Sequence, residues 1–282
     1  MARASDRLEE NAPGDFYVDS SCIDCDLCRQ LAPRVFGRAN GQSVVRAQPE
    51  EAGQQHRALM ALVACPTASI GTERKLDSRE AARSFPERVT DEVLFCGWAA
   101  ESSYGASAWL IRRPDGNVLV DSPRVSETLM TRLEELGGVR WLFLTHRDDV
   151  ADHAAYAKRF GCERVMHADD AMGAVERTVS EQVQLAADLK IVPVPGHTRG
   201  SAVLIFRDTF AFTGDHLWAN EAEDGLEAGR EVCWYSWREQ KRSMERLAEH
   251  RFSFVLPGHG RKWEAPSAEA MQAEVRRLAA SM

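Results

Sequence analysis

The chain has 282 residues, 44% hydrophobic and 28% charged, and its 35 basic against 43 acidic side chains leave a net charge of −8. Set against an average domain of roughly 150 residues, that length allows one large domain or two unequal ones, either able to bury a core. Intrinsic disorder, collagen and coiled coil find no support in this composition, and the acidic balance offers no general attraction to nucleic acid or an anionic membrane surface.

The N-terminal stretch MARASDRLEENAPGD is charged and lacks the apolar run of a signal peptide. Short strands follow at 16–20 and 43–46, then a helix over 51–64 that runs into Cys65-Pro66. The best apolar run, the eight residues from Ala58 to Cys65, falls well short of the 18 or more of a membrane span. A cytoplasmic protein without a membrane or nucleic-acid partner is expected.

Cys22, Cys25 and Cys28 stand at C-x2-C-x2-C spacing in SSCIDCDLCRQLAPRVF, and Cys65 follows in ACPTASI. Seven cysteines is an odd number, and in a chain that is not secreted this spacing reads as a metal or cluster site rather than a disulfide framework. Soft thiolates suit iron, and the tight spacing lets one loop hold three corners of a cluster while a distant cysteine closes the fourth. Zinc is the alternative, although zinc motifs usually offer two separated pairs. Residues 14–74 resemble the small bacterial-type ferredoxins with a single cluster. The resemblance implies an α+β ferredoxin-like N-terminal domain, one 4Fe-4S cluster on Cys22, Cys25, Cys28 and Cys65, and one-electron transfer.

The composition then turns polar, and 75–89 reads as a linker before a second domain over 90–282. Here apolar strands alternate with helices: VLFCG, SAWLIRR, a PDGN turn, NVLVD, a helix carrying Leu129, Leu133 and Leu136, and VRWLFLT. The pattern continues through ERVMH, KIVPVP, SAVLIF and TFAFTGD, a helix over 236–250, and FSFVLPG. Two similar α/β halves are implied, with no close sequence repeat.

Four polar motifs follow strands directly: THRDDVADH (145–153), PGHTRGS (195–201), FTGDHL (212–217) and LPGHG (256–260). Side chains at the C-terminal ends of separate strands can converge in one cleft, where imidazoles and carboxylates hold one or two divalent metals. His56 and His250 lie on predicted helices and stay outside this set, as do His167 and His216. Arg199 and the aromatic set Trp218, Trp234, Tyr235 and Trp237 are candidates for a substrate wall, with a packed aromatic loop as the alternative. Cys96, Cys162 and Cys233 are expected to pack as small apolar groups.

Residues 90–263 resemble the metallo-β-lactamase superfamily, whose αββα sandwich serves glyoxalase II, persulfide dioxygenases and flavodiiron proteins. The resemblance makes Asp121 an outer aspartate and His146, His197, Asp215 and His259 metal ligands, Asp215 bridging two metals. Asp152 and His153 match the DH that closes the family's H-x-H-x-D-H motif. The middle of that motif departs: Asp148 stands at the second histidine, two extra residues precede Asp152, and either Asp148 or Asp149 supplies the replacement. A carboxylate there makes the site harder and more anionic, as in flavodiiron proteins, which favours iron, with zinc as the alternative.

Two functional readings follow for a small-molecule substrate. In the first, a ferredoxin domain passes electrons to a dinuclear, di-iron site that Asp215 bridges, with His146, His197 and one of Asp148 and Asp149 on one metal and Asp152, His153 and His259 on the other. In the second, a zinc hydrolase cleaves an ester, thioester or lactone, Asp152 or Asp215 moves the proton, and the cluster is structural or redox-sensing. A redox sensor without catalysis is a third class. An external electron donor and homo-oligomer formation are left open.

Overall fold

The computed structural model describes residues 2–171, 173, 175–220 and 222–282. They form two compact units, one of 1–114 with 123–138 and one of 115–122 with 139–282.

In the first unit, β1 (Phe16–Val18) pairs antiparallel with β4 (Ile70–Thr72), and β2 (Phe36–Ala39) forms a hairpin with β3 (Gln42–Val45). Two helices accompany them, α1 (Leu27–Leu31) and α2 (Ala52–Ala64). The α2 helix buries Ala58, Leu59, Met60, Ala61 and Val63, so the apolar run before Cys65 is a core helix that carries this cysteine into place. The stretch read as a linker is ordered within this unit. It contains α3 (Arg79–Arg83) and β5 (Glu87–Arg88), and Ala81 and Phe85 are buried. β5 pairs antiparallel with β6 (Val93–Phe95), which pairs antiparallel with β7 (Trp109–Ile111). α4 (Glu127–Glu135) starts where Ser126 accepts a hydrogen bond from the Leu129 N–H, and it turns Leu129, Met130 and Leu133 inward.

The second unit holds four parallel strands in the order β11 (Arg177–Val179), β10 (Glu163–His167), β9 (Trp141–Leu144) and β8 (Val118–Val120). α5 (His153–Phe160) connects β9 to β10, the crossover that a parallel pair requires. A six-stranded sheet runs β12 (Val183–Ala186), β13 (Leu189–Pro193), β14 (Ala202–Phe206), β15 (Phe210–Gly214), β18 (Phe254–Pro257) and β19 (Trp263–Glu264). It is antiparallel except between β15 and β18. The short hairpin β16 (Trp218–Ala219) and β17 (Leu226–Glu227) lies between β15 and α6 (Trp237–Leu247), and α7 (Ala268–Ser281) ends the chain. Ser236 caps α6, its hydroxyl accepting a hydrogen bond from the Glu239 N–H. The amphipathic faces of α6 and α7 supply Met244, Leu247, Met271 and Val275 to a core shared with Val203, Ile205 and Val255 of the sheet.

The strands position the site. β8, β9, β15 and β18 end immediately before Asp121, Thr145-His146, Asp215 and Gly258-His259, and β13 ends four residues before His197. Among the described residues no helix is long and apolar enough to cross a membrane.

Candidate metal centre

The strand ends bring His146, His197, Asp215 and His259 together with both aspartates of the HRDD turn. His146 Nε2 lies 3.8 Å from Asp149 Oδ2 and 3.8 Å from Asp215 Oδ2. His197 Nε2 lies 3.3 Å from Asp148 Oδ2 and 3.7 Å from Asp215 Oδ2. His259 Nδ1 is 2.9 Å from each Asp215 oxygen and 4.0 Å from Asp149 Oδ2. Two ligand groups result, His146 with Asp148 and His197, and His146 with Asp149 and Asp215. Asp215 Oδ2 lies within reach of members of both.

The chemistry of the donor atoms fits a cation. His146 Nε2, both nitrogens of His197 and both carboxylate oxygens of Asp149 are buried without a hydrogen-bond partner, a set that costs roughly 1–3 kcal/mol per group unless something pairs with it. At 3.3 Å the Asp148 carboxylate and the His197 ring are within ion-pair reach but lack hydrogen-bond alignment.

Outer groups fix these ligands. Asp121 accepts hydrogen bonds from the Thr145 N–H at 2.8 Å and from Thr145 Oγ1 at 3.0 Å, and Thr145 Oγ1 is 2.9 Å from His146 Nδ1. His146 therefore presents Nε2 to the centre, the tautomer control expected around a metal ligand. Asp170, at the exit of β10, accepts from the Arg147 N–H at 3.1 Å, Thr198 Oγ1 at 2.5 Å and the Gly200 N–H at 2.9 Å. It ties the loops of His146 and His197 together. Gly258 supplies clearance, since a Cβ there would lie 2.5 Å from Asp149 Oδ2 and 2.9 Å from Asp215 Oδ1.

The electrostatics separate the carboxylates. Burial, reinforced by the Asp215 charge, raises Asp149 well above the usual carboxylate range. Burial also pushes Asp121 up to about 7 against its hydrogen bonds from Thr145. Burial acts to raise Asp215 as well, but the charge and hydrogen bond of His259 override it and hold Asp215 low. The His197 ring lowers Asp148, and burial pushes His146 down to about 4. Burial thus favours the protonated form of Asp149, which a bound cation would oppose.

Sequence reasoning places Asp152 and His153 in the second metal position; neither belongs to the two ligand groups above. Asp152 stands before α5 and His153 is its first residue. The charges that act on the His153 ring are those of Arg164 and Glu176. The left-handed Ala151, at φ +30°, turns the chain after the HRDD segment, so Asp149 occupies the interior instead. Of the aromatic set, Trp234 and Tyr235 are exposed at 63% and 49%, and their N–H groups donate to the His197 carbonyl at 2.9 and 3.0 Å. Trp218 and Trp237 are half-buried and donate through Nε1 to Glu227 and to the Met282 carbonyl. Arg199 pairs with Asp169 at 3.3 Å and lines, with Tyr235, His167 and Pro195, a cavity of about 480 Å³. His216, within the FTGDHL motif but left outside the set by the sequence reading, is wholly buried next to Asp215 with neither ring nitrogen bonded. Cys96 and Cys162 are buried, and Cys233 donates to the Gly196 carbonyl.

In the first unit, Cys22, Cys25, Cys28 and Cys65 line one small pocket with Ile23 and Leu27, and all four are free thiols. Backbone N–H groups of Ser43 and Ser69 point at Cys22 Sγ and Cys65 Sγ, at 3.4 and 3.3 Å. Asp24 and Asp26 take left-handed backbone, which winds the loop tightly enough for its three cysteines to converge. Burial pushes the Cys25 thiol up to about 12, so in the metal-free protein that thiol is neutral. Four converging thiols with N–H groups aimed at sulfur fit an iron-sulfur cluster.

Comparison with known proteins matches both segments to families. Residues 18–72 match the family model described as the 4Fe-4S single cluster domain of ferredoxin I, and residues 98–252 match that of the metallo-beta-lactamase superfamily. A curated relative, the hydroxyacylglutathione hydrolase of Acidiphilium cryptum (strain JF-5), is 30% identical over 122 residues, 40% of this chain. The chain spans about half (49%) of that relative's length. Among solved structures, the metallo-beta-lactamase from Pontibacter korlensis is 17% identical at a TM-score of 0.51, covering 67% of this chain and 97% of its own. The VMB-1 structure is 14% identical at 0.51, covering 68% and 96%. These likenesses establish the αββα sandwich fold.

Proposed function

As the chain belongs to the metallo-beta-lactamase superfamily, we propose that its His/Asp centre holds two divalent metals, iron in preference to zinc, and that the 4Fe-4S cluster of the ferredoxin segment supplies them with electrons. The observation that supports this reading is the third carboxylate. Asp148 and Asp149 join Asp215 against only three imidazoles, a harder and more anionic donor set than one dominated by histidine. His146, Asp148 and His197 would hold one ion, Asp149 and His259 the other, and Asp215 would lie between them. Bound there, the ions would supply Lewis acidity and one-electron chemistry to a small substrate. The chain's own contribution is to fix His146 through Thr145 and Asp121 and to keep Asp215 ionised through His259.

The test is anaerobic metal and sulfide quantification on the full-length protein, with Mössbauer spectroscopy to separate cluster iron from iron held by histidine and aspartate. Iron in both environments is expected, and the second population should change oxidation state when the cluster is chemically reduced. Zinc at the His/Asp centre of protein made under iron-replete conditions would overturn the proposal.

That outcome would favour hydrolysis, the reading supported by the relative named as a hydroxyacylglutathione hydrolase. The ions would then supply an activated water, Asp215 or Asp149 would take its proton, and the cluster would be structural or redox-sensing. A screen of esters, thioesters and lactones would follow.

A further inference from the structure

Two segments outside the cysteine motifs pack against the cluster cysteines within the first unit. Gly105 is buried against Cys25, and a Cβ there would lie 2.7 Å from Cys25 Cβ, 3.1 Å from Cys25 Sγ and 3.2 Å from Pro66 Cγ. Its φ of +87° is one that glycine adopts readily. The loop that delivers it, 97–106, also turns on Gly97, Trp98 and Tyr104, at φ 61°, 47° and 50°. For tryptophan and tyrosine that conformation is strained and must be imposed by their surroundings.

Arg124 holds Trp98 in it from the other side. Its backbone N–H donates to the Trp98 carbonyl at 2.8 Å, and its guanidinium lies 5.2 Å over the Trp98 ring. The same guanidinium donates to the carbonyls of Ala99, of Val63 at 2.5 Å and of Cys65 at 3.1 Å. The last two belong to the C-terminal end of α2, where carbonyls without helical partners carry partial negative charge. An anionic cluster bound beside that end is disfavoured, increasingly so after it gains an electron. A cation joined to the main chain of a cluster ligand offsets this.

We propose that Gly105 and Arg124 are part of the cluster site, the loop 97–106 being a fixed lid over Cys25 and Arg124 a positioning residue that clamps it and raises the cluster's reduction potential. Both residues lie outside the segment that matches the ferredoxin family. The inference rests on the cluster and not on electrons reaching the His/Asp centre.

The experiment uses full-length protein with the cluster assembled anaerobically. The potential is read by EPR-monitored redox titration, and the cluster's lifetime in air by loss of its visible absorbance. Arg124→Met should shift the potential to more negative values, Arg124→Lys should shift it less, and Gly105→Ala should bleach several-fold faster than the unaltered protein. An Arg124→Met potential equal to that of the unaltered protein would overturn the electrostatic role, and unchanged bleaching in Gly105→Ala would overturn the lid. If Arg124→Met assembles no cluster, Arg124→Lys decides. A cluster of near-native potential and lifetime upholds the role of the cation, and a protein that also holds none overturns it. Mössbauer spectra of the same samples report separately on the non-cluster iron, so failure of the lid and failure of electron delivery are distinguishable.

Discussion

Asp149 Oδ2 lies 3.8 Å from His146 Nε2, and neither buried atom has a hydrogen-bond partner. A carboxylate and an imidazole held this close without bonding are arranged for a third body between them. Replacing Asp149 by Asn should remove about one equivalent of metal from the purified protein while leaving the cluster iron intact. Metal analysis with sulfide quantification checks this.

The same substitution gives a pH prediction for the metal-free protein. The folded-state pKa of Asp149 is raised above 3.8 by burial and by Asp215. Its protonated form therefore stabilises the fold below that value, and the contribution is lost as pH rises through the raised pKa. Metal-free Asp149→Asn should melt close to the unaltered protein near pH 4 and progressively above it towards pH 8. A constant difference in Tm across that range would remove Asp149 from the interior position assigned to it.

Asp148 controls the softness of the other ligand group. Asp148→His would rebuild a histidine-rich corner, and borderline zinc should gain on iron. Protein from cells supplied with both metals should show a higher zinc-to-iron ratio at the non-cluster site, by metal analysis.

Thr145 acts through His146, since its hydroxyl joins Asp121 to the ring nitrogen that faces away from the centre. Loss of such an outer partner typically costs on the order of 10–100-fold in metal affinity. Thr145→Val should show a loss of that size in a chelator competition titration.

Asp152 is exposed at the start of α5 and belongs to neither ligand group. Asp152→Ala should keep the full metal complement, whereas Asp215→Ala should lose both ions. Equal loss in the two variants would mean that Asp152 is a ligand after all.

Much of this was legible in the sequence because it depends on spacing and local chemistry. Three cysteines two residues apart can only be held by one loop, and an apolar helix ending at Cys65 brings the fourth. Each of the motifs holding His146, Asp215 and His259 directly follows a strand, and a strand followed by a turn delivers its side chain to the sheet's end whatever the details. The choice among Asp148, Asp149, Asp152 and His153 was not legible. They lie within six consecutive residues, and which of them face inward depends on backbone dihedrals such as the left-handed turn at Ala151, which no spacing encodes. Nor does any motif mark Asp170, Gly105 or Arg124. Asp170 matters because the end of β10 falls beside the loops of His146 and His197, and the other two because a loop distant in sequence folds against Cys25 and Cys65. Those contacts exist only once the chain has packed, so the tertiary structure alone decides them.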